Sequence, residues 1–537
     1  MHSKRYSTWI GIASVTMVLL FAGCSQGTVN QQSEATVKQS DATANLSPQK
    51  GGTIKVAFDA DPSTLDWMST ASSATKLVAN HLYEQLFALD ETMTEQPMLA
   101  KSYQVSEDQK TYTIVLRDGV KFHDGSVMTG ADVVASLNRW ASMSAVGKRM
   151  VKNVEAITAV STHTVQIVFK EPYAPFIRNL ADPTQAMVVL PAKIAEEAGT
   201  TPLKEAQIIG TGPYRLDSWK RGQRISLKRF DEYASREEDW GGLTGKKEAF
   251  ADEIRFEMVP DAQVRVDGVR TGQYDFALRI PQDLYPQLKD ATELKTRVSK
   301  PDSFMAVIPD KSEAPFDDLR MRQAVNHALD KEKIARATYG DFFEMDGAIF
   351  FPDQKSLYTK EGTEAYLAYD PQKAKALMKE AGYNGEPIRL IATSSYDDHF
   401  KTAQVVAAQL TEAGFTVDLQ IYEWATLLEK ERNPANFDLE IQGFSPKYDP
   451  TTIPWFYPQF PGKYESPKIM SLLTEWSTSG QGEQQQKLLG EFNRTVYAEL
   501  PVIKITNEIG MGVIGSRIEG FGERKNITFW NTWLNAK

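Results

Sequence analysis

Hydrophobic and polar residues alternate in short bursts along this chain, and each burst predicts a strand. Thr53-Ile54-Lys55-Val56-Ala57-Phe58, Tyr112-Thr113-Ile114-Val115-Leu116 and Thr164-Val165-Gln166-Ile167-Val168-Phe169 share that period of two. Ala131 to Trp140 has helical spacing instead, with Val134, Leu137 and Trp140 on one face. The stretch 369–443 is the most readable. Asp370 suits an N-cap and Pro371 the first helical position. Ala374, Leu377, Met378 and Ala381 form an apolar face, and Gly382 ends the helix. A strand is predicted at Ile388–Thr393, a helix from Thr402 to Ala413 closed by Gly414, and a strand through Val417, Leu419 and Ile421. Strand, helix, strand implies a right-handed parallel crossover. Phe437 to Ile441 supplies a further strand, so the class is mixed α/β with more than one sheet.

The N-terminus follows another logic. His2, Lys4 and Arg5 precede an apolar run from Trp9 to Ala22. That run is about 14 residues, short of the ~20 needed to span a bilayer, and fits a secretory leader. Leu20-Phe21-Ala22-Gly23-Cys24 resembles a bacterial lipobox, with Phe21 where Leu is usual. The resemblance implies that Cys24 carries a lipid and begins the mature chain. Residues 24–50 are rich in Ser, Gln, Thr and Asn and read as a flexible tether. No other segment is apolar for long enough to span a membrane.

Composition removes several function classes. The 537 residues carry 60 Lys plus Arg against 70 Asp plus Glu, a net charge of −10, which argues against a nucleic-acid surface. Cys24 is the single cysteine, so no intrachain disulfide or cysteine zinc site can form. Gly210-Thr211-Gly212-Pro213 lacks the third glycine of a dinucleotide fingerprint and is expected to be a tight turn between strands. Gly241-Gly242-Leu243-Thr244-Gly245-Lys246-Lys247 is one residue short of a phosphate loop and is expected to be a mobile surface loop. Ser73-Ala74-Thr75-Lys76 has the Ser-x-x-Lys spacing of acyl enzymes, but the partner Lys-Thr-Gly is absent. His123-Asp124 is expected to be a hydrogen-bonded turn rather than a metal or catalytic dyad. Neither a cofactor nor a metal is expected, and an enzyme is not the first choice.

A series of segments resembles the extracellular solute-binding proteins of dipeptide, oligopeptide and nickel ABC importers. They are Ala79–Leu86, Pro97–Tyr103, Leu116–Gly125 continuing through Leu137, Gly210–Tyr214, Thr271–Asp275 and Pro315–Ala324. The resemblance implies an α/β protein of the two-lobed periplasmic-binding type, with an extra subdomain in the N-terminal lobe and a hinge between lobes. By analogy lobe I comprises 51–93, 207–304 and 509–537, the extra subdomain 94–206, and lobe II 305–508. Residues 1–23 would be the leader.

Ligand residues are then expected on loops facing the cleft. Ser69, Thr70, Ser72 and Ser73 follow the opening strand, where the alternative is simply an N-cap. Arg279 ends a strand and has the geometry to grip a carboxylate, where the alternative is a solvent-exposed arginine. The loop Gln442–Pro450 offers Phe444, Lys447, Tyr448 and Asp449, and Trp455 follows as part of an aromatic wall. His399 joins the ligand candidates. In peptide-binding relatives an aspartate four residues before the proline matching Pro450 pairs with the peptide amine; here that position is Pro446. Asp397 or Asp398 would then be the substitute acid.

The expected function is a lipid-anchored receptor outside the cell membrane, monomeric, delivering a short peptide to an ABC permease and its ATPase. A non-peptide solute (an opine-like or glycosyl conjugate, or a metal chelate), a tethered serine hydrolase using Ser73 and Lys76, and an adhesin or signalling receptor are the competing readings. No nucleic-acid partner is expected.

Overall fold

Strand Thr53–Phe58 is buried on both faces: Ile54, Val56 and Phe58 enter one core and Ala57 another. That is the environment of a central strand in a covered sheet. A computed structural model describes residues 47–479, 482–522 and 524–535. The leader, Cys24 and most of the tether lie outside the described residues. Among the described residues no helix is long and apolar enough to cross a membrane.

Thr53–Phe58 lies between two parallel neighbours, Glu253–Met258 and Phe276–Ala277. They belong to a seven-stranded sheet completed by Leu294–Val298 and Met511–Gly515 on one side and by Arg224–Arg229 and Tyr214–Lys220 on the other. This sheet defines lobe I. A six-stranded sheet defines lobe II, in the order Phe343–Glu344, Ile503–Glu508, Ser303–Pro309, Leu439–Phe444, Ile388–Thr393, Val417–Tyr422. Lobe II has a separate apolar core on each face of its sheet.

The predicted crossover is present. Ile388–Thr393 and Val417–Tyr422 pair in parallel, with Ile388 opposite Val417, joined by helix Asp397–Ala413. The helix starts five residues before the predicted Thr402. Its first turn is polar, so apolar periodicity misses it, and Asp397 and Asp398 complement the helix dipole there. The following strand runs Leu439–Phe444 rather than Phe437–Ile441, because Pro434–Asn436 is a 3-10 turn and Phe437 packs with Leu427 and Ile391.

The extra subdomain is a four-stranded antiparallel sheet of Ala100–Val105, Thr111–Leu116, Thr164–Phe169 and Val154–Ser161. Helix Gly130–Met143 covers it with Val133, Leu137 and Trp140 buried; Val134 is only half-buried, one position off the predicted face. Arg139 of this helix reaches into lobe I and pairs with Asp66 at 2.6 Å, both side chains 1% exposed. Asp66 also accepts from the Leu203 N–H at 3.1 Å. Such a pair is a weak stabiliser, but deleting one member strands a buried charge. The subdomain is therefore fixed to lobe I.

Two glycine segments depart from expectation. Gly210 and Gly212 do not turn between strands. They lie against the end of helix Ser73–Leu82, where the Gly212 N–H donates to the Leu82 carbonyl at 2.9 Å. A Cβ on Gly210 would come 2.1 Å from that carbonyl oxygen. His123 locks the same segment: its Nδ1 accepts from the Gly210 N–H at 3.2 Å and its Nε2 donates to the Gly212 carbonyl at 3.1 Å. Burial lowers its pKa to about 4, so it is a neutral structural histidine. Gly241–Lys247 is not a free surface loop. Leu243, Thr244 and Lys247 are buried, and Lys247 Nζ lies 3.4 Å from Glu84 Oε1 and over the Trp530 ring.

Gly210→Ala should lower the unfolding free energy by roughly 1–3 kcal/mol, the range for forcing atoms into filled space. The urea midpoint reads this; an unchanged midpoint would mean the backbone approach tolerates a methyl group.

Candidate functional site

The chain passes between the sheets after Val298 and returns after Glu508. These crossings bond to each other: the Ser299 N–H donates to the Gly510 carbonyl at 2.9 Å, and the Gly510 N–H to Ser299 Oγ at 2.8 Å. Beside them, where the central strand of lobe I ends, lies a cavity of about 210 Å³ lined by Asp59, Ser73, Arg279, Arg297, Asp302 and Gly510, among others.

Two expected ligand residues meet here. Arg279 holds φ at 47°, a left-handed conformation that costs a non-glycine residue ~1–2 kcal/mol. Its guanidinium reaches Asp59 at 3.2 Å and donates to Ser73 Oγ. About half of its side chain stays exposed. The hydroxyl that a serine hydrolase would use is thus a guanidinium acceptor.

The other serine-loop residues shape the turn. Ser69 Oγ donates to the Asp66 carbonyl at 2.8 Å, and Thr70 Oγ1 accepts from the Ser72 N–H at 3.1 Å. Ser72 precedes the helix without a side-chain capping bond.

The lobe II candidates divide between packing and cleft. Phe444 and Trp455 are buried in a lobe II core, their rings 4.7 Å apart. Asp449 is fully buried; its Oδ1 accepts from the Thr451 N–H at 2.7 Å, and burial raises its carboxyl pKa. Tyr448 belongs to lobe II yet packs into the core of lobe I, so the lobes are closed on each other. Lys447 is half-buried, faces Asp182, and has its ammonium pKa lowered by burial. His399 uses both ring nitrogens: Nδ1 meets Asp398 Oδ1 at 3.0 Å, and Nε2 accepts from the Gly443 N–H at 3.1 Å. Asp397 pairs with Lys401 at 2.6 Å. Neither acid offered in place of Pro446 is therefore free.

Other closing contacts flank the cleft. Lys525 of lobe I pairs with Asp353 of lobe II at 2.5 Å. Arg178 of the subdomain is held by Glu95 at 2.5 Å and donates to Ser356 Oγ and the Tyr448 carbonyl of lobe II. The Ala174 N–H donates to the Ser477 carbonyl at 3.0 Å.

Sequence reasoning missed Asp302 and Arg297, which lie beside the first crossing. Asp302 is open to the cleft yet closely walled by protein, and burial raises its carboxyl pKa. Lys525, Arg297, Lys76 and Arg279 all face it. The one sequence signal was their position next to the predicted lobe boundary.

A pair of α/β lobes with a polar cleft at the crossings is the architecture of the two-lobed binding proteins. The model of the family 5 bacterial extracellular solute-binding proteins (middle region) matches residues 94–465, and the chain belongs to this family. It is 30% identical over 395 residues, 72% of this chain and 73% of the relative, to a probable peptide ABC transporter periplasmic-binding protein, y4tO, of Sinorhizobium fredii. It is 30% identical over 366 residues, 67% of this chain and 68% of the relative, to the glutathione-binding protein GsiB of Escherichia coli K12. The solved structure of AgaA from A. tumefaciens R10 with agropinic acid superposes with a TM-score of 0.75 at 24% identity, covering 90% of this chain and 99% of that one. That likeness establishes the two-lobed fold.

Glu508 closes the second crossing. Its carboxylate accepts from Ser303 Oγ at 2.6 Å and from the Tyr339 hydroxyl at 3.0 Å. Burial, with nearby Asp398 adding to it, raises its pKa to about 7 from an ordinary 4.5. Between these values the folded protein keeps a proton that the unfolded chain releases, so stability falls as pH rises through that window. Glu508→Gln should flatten the fall in melting temperature from pH 4.5 to 7. A variant with the wild-type slope would place that titration on another group.

Proposed function

We propose that this chain is the receptor of an ABC importer, capturing a short peptide or peptide-like solute between its lobes and presenting the closed form to a membrane permease with its ATPase. The observation that carries this reading is the cleft itself. Asp59, Ser73, Arg279, Arg297 and Asp302 of lobe I and the first crossing line its cavity, and each lobe is built on its own sheet. The names of the relatives, peptide and glutathione, support a peptide-like ligand. Pro446 stands where peptide-binding relatives place an amine-pairing acid, so the grip on the ligand rests more on cations: Arg279, and Lys447 from the opposite lobe.

Ligand binding favours the closed state. Native mass spectrometry of protein purified without refolding should show a retained small solute. Small-angle scattering should show the radius of gyration falling when that solute is returned to stripped protein. Stripped protein that neither recovers mass nor contracts with its own co-purified solute or a short-peptide library would overturn the receptor reading.

The lipobox-like segment supports attachment of the mature chain to the outer face of the cell membrane through a lipid on Cys24. Metabolic labelling with a tagged fatty acid should mark the wild type and leave Cys24→Ala unlabelled. Equal labelling of both would remove the anchor.

A further inference from the structure

Enclosed lysines in this protein almost all have an acceptor. Lys247 has Glu84, Lys331 has Asn326 Oδ1 at 2.7 Å, Lys504 has the Ala348 carbonyl at 2.7 Å, Lys311 has the Pro501 carbonyl at 3.0 Å, and Lys525 has Asp353. Lys76 and Lys447 differ: each is half-buried, and neither ammonium makes a hydrogen bond or ion pair among the described residues; Lys447 lies on the lobe II loop, whereas Lys76 adjoins the cavity of lobe I.

Its position explains what is missing. Helix Ser73–Leu82 turns Ser73, Ala74 and Leu77 to the cavity beside the hinge. Lys76 lies three residues after Ser73, so it projects from the adjoining strip of that face. The charged groups facing it are Lys525 from the C-terminal segment of lobe I, Asp182 from the subdomain and Asp302 from the first crossing. Lys525 is committed to Asp353, and Asp182 Oδ1 already accepts from the Thr184 N–H at 2.7 Å. Neither Asp182 nor Asp302 comes within ion-pair distance of Lys76. A donor thus stands on the helix between the cavity-lining Ser73 and Leu77, with its neighbours engaged or out of reach.

We propose that Lys76 receives a carboxylate of the bound solute, clamping it from lobe I beside Ser73 and Arg279. This rests on the receptor reading above and adds the ligand's chemical class, a carboxylate-bearing solute. A charge-assisted hydrogen bond to that carboxylate would supply the partner the ammonium lacks. The titration agrees. Burial, with Lys525 adding to it, lowers the Lys76 pKa to about 8. An arriving carboxylate raises it again, so binding near pH 8 draws in up to about half a proton.

The test is calorimetry on the mature full-length protein at pH 8 in two buffers of different ionisation enthalpy, with trialanine and trialanine amide as probes. Lys76→Met should weaken trialanine about tenfold or more and leave the amide unchanged. Lys76→Arg, always charged, should keep the affinity while losing the lysine's share of the proton uptake; this comparison decides even where Lys76→Met folds poorly. Wild-type affinity and uptake in Lys76→Met, or uptake preserved in Lys76→Arg, would overturn the assignment and leave the receptor reading intact. A wild type that binds neither probe would overturn the peptide-like ligand, and this assignment with it.

Discussion

The two crossings between the sheets are bonded to each other at Ser299 and Gly510, and that pairing limits what the rest of the molecule can do. Each lobe has its own sheet and only these two short adjacent segments join them, so opening of the proposed receptor would turn about that pair. A hinge of this kind leaves the cores packed while the cleft opens. It also explains why the cavity borders the crossings. The end of the central strand of lobe I and the residues around Asp302 and Gly510 face each other there whatever the lobes do.

The extra subdomain gains a role from its attachment. Asp66 and Arg139 bind it to lobe I in a dry contact. Its helix Phe176–Ala181 then meets lobe II through Arg178, with Ala174 just before it. The contacts between the lobes include ion pairs and single hydrogen bonds, and two large rings of lobe II also cross: Tyr448, and Phe342 packed on Tyr285 at 4.9 Å. Polar contacts of that size exchange readily with water, which suits a closure that must be reversible.

Local signals made much of the fold legible. The strands at 53, 388 and 417, the Asp370-Pro371 start and the Gly382 and Gly414 stops appear where periodicity and capping put them. What failed depended on distant residues. Gly241–Lys247 reads as a surface loop until Glu84 and Trp530 pack against it. Gly210 reads as a turn until Leu82 occupies the space where its side chain would be. The site divides the same way. Ser73 and Arg279 follow strands and reach the cavity, as loops at strand ends do. Phe444 and Trp455 are equally plausible by position, but large apolar rings gain more from a core than from a wet cleft. Lys76 looks like half of a catalytic pair in sequence, and only the engaged neighbours around it show that it has no partner.

The loop carrying Pro446 shows how these constraints combine. Asp449 survives as an acid, but its Oδ1 caps a buried turn and its Oδ2 is shut away from solvent without a partner among the described residues, and Tyr448 leaves its own lobe to pack into the core of the other. A loop used in this way packs the lobes together and exposes no carboxylate to an ammonium group, since Asp449 is fully buried. Its remaining polar side chain at the cleft is Lys447, which faces Asp182. Across the cleft, Arg279 is satisfied by Asp59 and Ser73, and Lys525 by Asp353. Arg297 is turned toward the Arg524 and Lys525 carbonyls. Asp302 is faced by Lys525, Arg297, Lys76 and Arg279, and with Asp59 and Asp353 engaged by two of these cations the charges around it nearly balance, which leaves Lys76 as the cation there without an acceptor. The preference proposed above for a carboxylate-bearing solute therefore rests on the single ammonium of Lys76 and on the uncharged side chain at Pro446, not on the summed charge of the cleft.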